Sequence, residues 1–130
     1  ILEKKLKKLK KKKKVNVGIY GITFKENIND LRDSKIIEMI KYLRKNQSIN
    51  LYVNDPNVSQ KEFSKIINFK INNKIPRLDA LVLAVKHKEF KKINYDFLKK
   101  KMIDDKSIII DVKSFLSDEK IKKKFNYWSL

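Results

Sequence analysis

Residues 80–85 read Ala-Leu-Val-Leu-Ala-Val, six apolar side chains in a row. A strand with one wet face alternates apolar and polar residues, so an unbroken run marks a strand covered on both faces, as in a parallel sheet between helix layers. Ile108-Ile109-Ile110 repeats the signal downstream. Upstream, Val15 to Tyr20 is a β-branched run ending at Gly21, and Ile49 to Val53 is a second strand, closed by Asn54-Asp55-Pro56. Between these runs the period changes. Ile36, Ile37, Ile40 and Leu43 recur at helical spacing up to about Lys45, with Asp33 or Ser34 placed to cap them. Lys61 to Ile67, Tyr95 to Met102 and Ser117 to Lys124 supply three more helices, and Tyr127-Trp128 a last edge strand.

This alternation predicts an α/β fold, a Rossmann-like open parallel sheet of about five strands flanked by helices. A chain of 130 residues suits one core, and 42% hydrophobic residues suffice to fill it. The absence of cysteine excludes a disulfide scaffold, a thiolate metal site and a cysteine nucleophile within these residues; no metal is expected. No apolar run reaches the roughly 20 residues of a membrane span, and lysines stand where a signal peptide has its apolar stretch, which predicts a soluble, cytoplasmic protein without a membrane partner. The net charge of +18 suggests phosphate binding. Yet 30 lysines and 18 isoleucines beside only 2 glycines, 2 prolines and 2 alanines are also what AT-rich codons produce. The densest cluster is Lys4 to Lys14. Leu2, Leu6 and Leu9 form one helical stripe just before and within it, with no cap ahead. Residues 1–14 therefore read as the end of a preceding helix plus a lysine-rich linker, and residues 15–130 as the domain.

Open parallel sheets bind ligands beyond the carboxyl ends of their strands, where strand order reverses. That nominates Gly21 to Asp33 after the first strand, Asp55 after the second, Lys86-His87-Lys88 after the third and Val112-Lys113 after the fourth. Gly18-x-x-Gly21 lacks the third glycine of a dinucleotide fingerprint, so Gly21 is either a tight strand exit or a point of close approach to a ligand phosphate. Asp55 stands where a ribose-binding acid sits in dinucleotide folds, but Asp-Pro reads more simply as a turn.

The loop Gly21-Ile-Thr-Phe-Lys-Glu-Asn-Ile-Asn-Asp-Leu-Arg-Asp-Ser34, with its Gly-x-x-Phe-Lys and Asp-x-Arg-x-Ser patterns, resembles the start of the C-terminal, UDP-binding domain of the UDP-glucose/GDP-mannose dehydrogenase superfamily. Leu51 to Pro56, Asp79 to Phe90 and Ile110 to Ser114 are similar to its next three strand ends, in order, and the resemblance runs from about Val15 to Leu130. The Phe-Lys-Glu-Asn wording and Ala-Val-x-His-x-Glu-Phe are most similar to the branch acting on UDP-N-acetyl-D-glucosamine or galactosamine. The resemblance implies a four-electron oxidation at C6 of a UDP-sugar to the uronate, with NAD as cofactor, for polysaccharide biosynthesis. It also implies an N-terminal NAD domain and a central region with the nucleophilic cysteine. Both lie outside these residues, so no catalytic residue is expected here and the fragment alone is expected to be inactive. The complete enzyme is expected to be a homodimer.

Carried over residue by residue, the resemblance gives substrate-binding roles to Phe24 and Lys25, whose ammonium suits a diphosphate or a carboxylate, and a cofactor contact to Arg32, whose fork suits a phosphate or ribose edge. The bland reading of Arg32 is an ion pair with Asp30 or Asp33. Lys113 falls where other branches place a substrate-binding arginine, which loses bidentate geometry. His87, the lone histidine, is either structural or a substrate-binding position. Ile28-Asn29 replaces the branch's frequent Cys-Pro without removing a charged contact. The alternative function is a lysine-rich module that binds nucleic acid through residues 4–14, though interleaved aromatics and a recognition helix are missing.

Overall fold

A computed structural model describes residues 14–23, 35–114 and 116–129. The expected leading helix and most of the lysine-rich linker lie outside the described residues, as do Phe24, Lys25 and Arg32. The strands are β1 (Val15–Tyr20), β2 (Ile49–Asn54), β3 (Ala80–Leu83), β4 (Ile108–Asp111) and β5 (Asn126–Ser129). The helices are α1 (Lys35–Leu43), α2 (Gln60–Ile66), α3 (Tyr95–Lys101) and α4 (Glu119–Lys124), with a 3₁₀ turn over Lys88–Lys92. All five strands form one parallel sheet in the order β2-β1-β3-β4-β5.

The apolar runs divide by parity, as a strand's alternating side chains must. Ala80, Val82, Ile108 and Ile110 face one layer with Ile37, Ile40 and Leu43 of α1 and Phe63 of α2. Leu81, Leu83 and Ile109 face the other, with Leu98 of α3 and Ile121 of α4. Every residue of β3 and β4 is buried. In β1, Val17 and Ile19 fill the first layer, while Gly18 leaves room on the second face for Leu78, whose Cδ1 would lie 2.6 Å from an added Cβ.

The ends of the elements have local causes. Ser59 Oγ accepts the Glu62 N–H at 3.1 Å and starts α2, Asn94 Oδ1 accepts that of Phe97 at 2.9 Å and starts α3, and Asp118 Oδ1 takes that of Lys120 at 2.9 Å and starts α4. The cap is Asp118, so α4 begins at Glu119, two residues later than the pattern predicts. The predicted third strand is likewise cut to Ala80–Leu83: Ala84 still donates to Tyr20 O at 2.9 Å, after which the chain turns away. The edge of β2 is covered by one bridge from the incoming loop, where Asn72 N–H donates to Val53 O at 2.7 Å.

Gly21 leaves β1 at φ 96°, and a Cβ there would lie 2.8 Å from Val85 N. Gly21→Ala is therefore expected to destabilise by roughly 3 kcal/mol, whereas Asn94→Ala, which removes only a cap, costs about 1 kcal/mol. Urea unfolding of both variants against the parent chain checks the order.

Candidate functional site

Strand order reverses between β1 and β3, which places the exits of β2, β1 and β3 side by side at the carboxyl edge. There the ladder continues one step, Gly21 N–H to Asn54 O at 2.9 Å and Ala84 N–H to Tyr20 O at 2.9 Å. Beyond it the next peptide groups need other acceptors. Asp55, after β2, supplies one: its Oδ2 accepts the Ile22 N–H at 2.7 Å, while Oδ1 accepts the Asn57 N–H at 2.8 Å. His87, after β3, completes the knot, with Nε2 2.9 Å from Asp55 Oδ2 and 3.0 Å from Thr23 Oγ1. Three strand ends are joined through side chains that are all but inaccessible, Asp55 at 2%, His87 at 1% and Thr23 at 2% exposure.

A carboxylate at this depth is tolerable because three donors surround it. An ionised carboxylate only accepts, so it is Nε2 that carries the proton in the His87–Asp55 bond. This arrangement is not a hydroxyl-activating triad. The same nitrogen meets both Thr23 and Asp55, so no lone pair on it is left to take the threonine proton. Phe90 of the 3₁₀ turn shields the knot, its ring 5.6 Å from those of both His87 and Tyr20. A cleft of about 410 Å³ opens beside it, with Lys86, His87, Lys88 and Lys91 on one wall and Leu116 and Ser117 on another.

The β4 exit repeats the device. Asp111, fully buried, accepts the Leu116 N–H at 2.8 Å and the Tyr127 hydroxyl at 2.7 Å, both through Oδ2. These bonds tie down the two ends of the turn on which Lys113 stands exposed. Ser114 on that turn adopts φ 52° and pairs its hydroxyl with that of Ser129.

Of the expected site residues, His87 thus lies at the switch point and Lys113 on the neighbouring exit, while Phe24, Lys25 and Arg32 fall outside the described residues. Gly21's missing side chain is filled by Val85 and Gly18's by Leu78, so among the described residues no dinucleotide phosphate cradle is formed. The readings from sequence alone missed the role of Asp55. It does start the turn they proposed, through Asn57, but its second oxygen reaches 32 residues onward to His87. The available signal was positional: the only histidine and an aspartate both end strands that flank β1. No helix among the described residues is long and apolar enough to cross a membrane.

Burial pushes the Tyr20 hydroxyl up to about 12, and burial, aided by the Asp111 carboxylate, does the same for Tyr127. Both hold their protons to higher pH folded than unfolded. Their contribution to stability is complete below pH 10 and is lost as pH rises from 10 towards 12. Absorbance titration of tyrosinate should show a late step near pH 12 that shrinks in Tyr20→Phe and again in Tyr127→Phe.

Comparison with known proteins places these features in a family. The model of the UDP-glucose/GDP-mannose dehydrogenase family, UDP binding domain, matches residues 18–118. Protein CapL of Staphylococcus aureus is 28% identical over 116 residues, which are 88% of this chain and 27% of that protein. The UDP-N-acetyl-D-glucosamine 6-dehydrogenase of Salmonella typhi is 31% identical over 106 residues, 80% of this chain and 24% of that protein. The UDP-N-acetyl-D-mannosamine dehydrogenase of Methanococcus aeolicus is 34% identical over 104 residues, 78% and 22% of the two chains. The solved NDP-N-acetyl-D-galactosaminuronic acid dehydrogenase of Methanosarcina mazei shares the fold, with a TM-score of 0.77 at 21% identity over 98% of this chain and 27% of its own. The chain spans about a quarter of the length of these relatives. It belongs to the UDP-glucose/GDP-mannose dehydrogenase family, of which it is the UDP-binding domain.

Proposed function

We propose that this domain holds the nucleotide-sugar substrate of an NAD-dependent 6-dehydrogenase that converts a UDP-N-acetylhexosamine to the corresponding uronate. The observation that carries the reading is the family match over residues 18–118, which spans all four strand exits nominated from the sequence. The net reaction takes C6 from alcohol to carboxylate with one water, transferring two hydrides to two NAD and releasing three protons. NAD supplies the hydride acceptor. The domain organisation extends the proposal: residues 1–14 end a preceding helix and linker, residues 15–130 bind the UDP-sugar, and the NAD domain and the nucleophilic cysteine belong to parts outside this sequence. The working enzyme is then a homodimer in the cytoplasm, and the isolated chain is inactive.

In this reading Lys25 and Lys113 offer ammonium groups to the diphosphate or the carboxylate, Phe24 lines the sugar site, His87 sits beneath it, and Arg32 reaches towards NAD. The structure that supports it is the switch point itself, with His87 and the lysines of the β3 exit around an open cleft.

Calorimetric titration of the chain with UDP, UDP-N-acetylglucosamine and a single-stranded oligonucleotide at two salt concentrations tests the assignment. Uridine-dependent binding is expected to survive moderate salt while any oligonucleotide signal collapses. Oligonucleotide binding without a uridine response overturns it. In the complete enzyme, Lys25→Ala should weaken UDP-sugar binding roughly tenfold, the worth of one charge-assisted hydrogen bond, and Arg32→Ala should act chiefly on NAD.

A further inference from the structure

We infer that the cleft between the β3 exit and α4 binds a nucleoside diphosphate, with Lys86 and Lys91 on its phosphates; the biological role of that ligand rests on the function proposed above. The cleft sits one strand over from the switch point, between the exits of β3 and β4. Its volume of about 410 Å³ falls within the roughly 300–1,000 Å³ of small-molecule sites.

Both walls are held by bonds. On the first, the His87 N–H donates to Val85 O, that of Phe90 to His87 O and that of Ile93 to Phe90 O, each at 3.0 Å. Lys86 and Lys91 therefore stand on a backbone path that is already set. On the second wall, Asp111 holds the Leu116 N–H and Asp118 caps α4.

The floor is apolar and the rim donates. Phe90, Ile93, Leu116 and Ile121 are buried beneath the opening. Lys86, Lys88 and Lys91 stand against a single lining carboxylate, Asp118, whose Oδ1 is engaged by the Lys120 N–H. Lys86 and Lys91 form no ion pair among the described residues. Asn94 spends its carbonyl oxygen on the Phe97 N–H, which leaves its NH2 to donate, and Ser117 adds an exposed hydroxyl. Ammonium groups and donors on a rim call for an anion. A bare phosphate would leave the floor unused, and a hydrocarbon would take the ammonium groups out of water with nothing in return. A base joined to a diphosphate meets both demands. The proposed reaction offers two sources of that chemistry, the UDP of the substrate and the ADP half of NAD.

The test is calorimetric titration of the full chain with UDP, ADP and inorganic pyrophosphate. Lys86→Glu/Lys91→Glu is compared with the parent and with Lys45→Glu/Lys106→Glu, which makes the same change of charge at exposed positions on the opposite, amino edge of the sheet. At least one nucleotide is expected to bind the parent roughly tenfold more tightly than pyrophosphate, and Lys86→Glu/Lys91→Glu to lose roughly tenfold of that affinity. The amino-edge variant should lose no more than about twofold, because distant exposed charges are screened. Bound nucleotide should also shift the amide NMR signals of Asn94 and Ser117. The preferred nucleotide identifies the source. Equal losses in the two variants overturn the inference, as does pyrophosphate binding as tight as that of the nucleotides, or nucleotide binding that leaves Asn94 and Ser117 unmoved. UDP binding that survives Lys86→Glu/Lys91→Glu unchanged overturns the inference and leaves the proposed function standing. ADP binding at the cleft without any uridine response does the reverse, and absence of both overturns both.

Discussion

The bond from Ile22 N–H to the buried Asp55 carboxylate is where the demands of the sheet and those of the site meet. β1 is buried along almost its whole length, with partners on both edges and helix layers on both faces, so the peptide groups that leave its ladder find no water. An acceptor has to be brought to them from a neighbouring exit. Asp55 can act as one only while other donors surround it, since a carboxylate stripped of water loses several kcal/mol of hydration. His87 is the donor that the other neighbouring exit provides. The strand order β2-β1-β3 is thus what makes the knot possible: it sets an aspartate and a histidine on either side of the residue they hold. A β1 at the sheet edge would have water for one of these roles and no need of the other.

Legibility in the sequence followed the range of the forces involved. The unbroken run at 80–85 revealed a doubly covered strand because burial acts on every residue in it, and all four residues of β3 are indeed buried. The helical spacing of Ile37, Ile40 and Leu43 was readable for the same reason, as they form the buried face of α1. The 3₁₀ turn at Lys88–Lys92 was not readable. Three of its five residues are lysines that look like solvated loop, and what fixes it is Phe90, inserted into the second layer. Asp55 was half legible. Its bond to Asn57 is local and belongs to any Asp-Pro turn, whereas its bonds to Ile22 and His87 depend on strand order, which no local pattern encodes.

Part of the lysine excess serves the helices of this architecture. Among the described residues the basic side chains gather in the last turns of the helices, Lys65 in α2, Lys99 to Lys101 in α3 and Lys122 to Lys124 in α4, with Glu62, Asp96 and Glu119 in the first turns. That is the arrangement that complements the helix dipoles. Two ion pairs among the described residues, Lys41 with Glu38 at 3.5 Å and Lys122 with Glu119 at 3.6 Å, are exposed and contribute little. Among the described residues this charge sits at several separate helix ends.

The two buried aspartates hold strand exits in place through backbone bonds. Asp55 and Asp111 both accept backbone N–H groups, that of Ile22 at the exit of β1 and that of Leu116 beyond the turn that carries Lys113. Lys113 itself stands exposed on that turn. A change of side chain at the exposed position 113 leaves the path of the turn untouched, because the turn is closed by the bond from Leu116 N–H to Asp111. Exchange of Asp111 has no such freedom. Removing it leaves the buried Leu116 N–H without its acceptor, at the cost of desolvating it, and takes one partner from the half-buried Tyr127 hydroxyl. Geometry at these strand exits is therefore a property of the buried carboxylates.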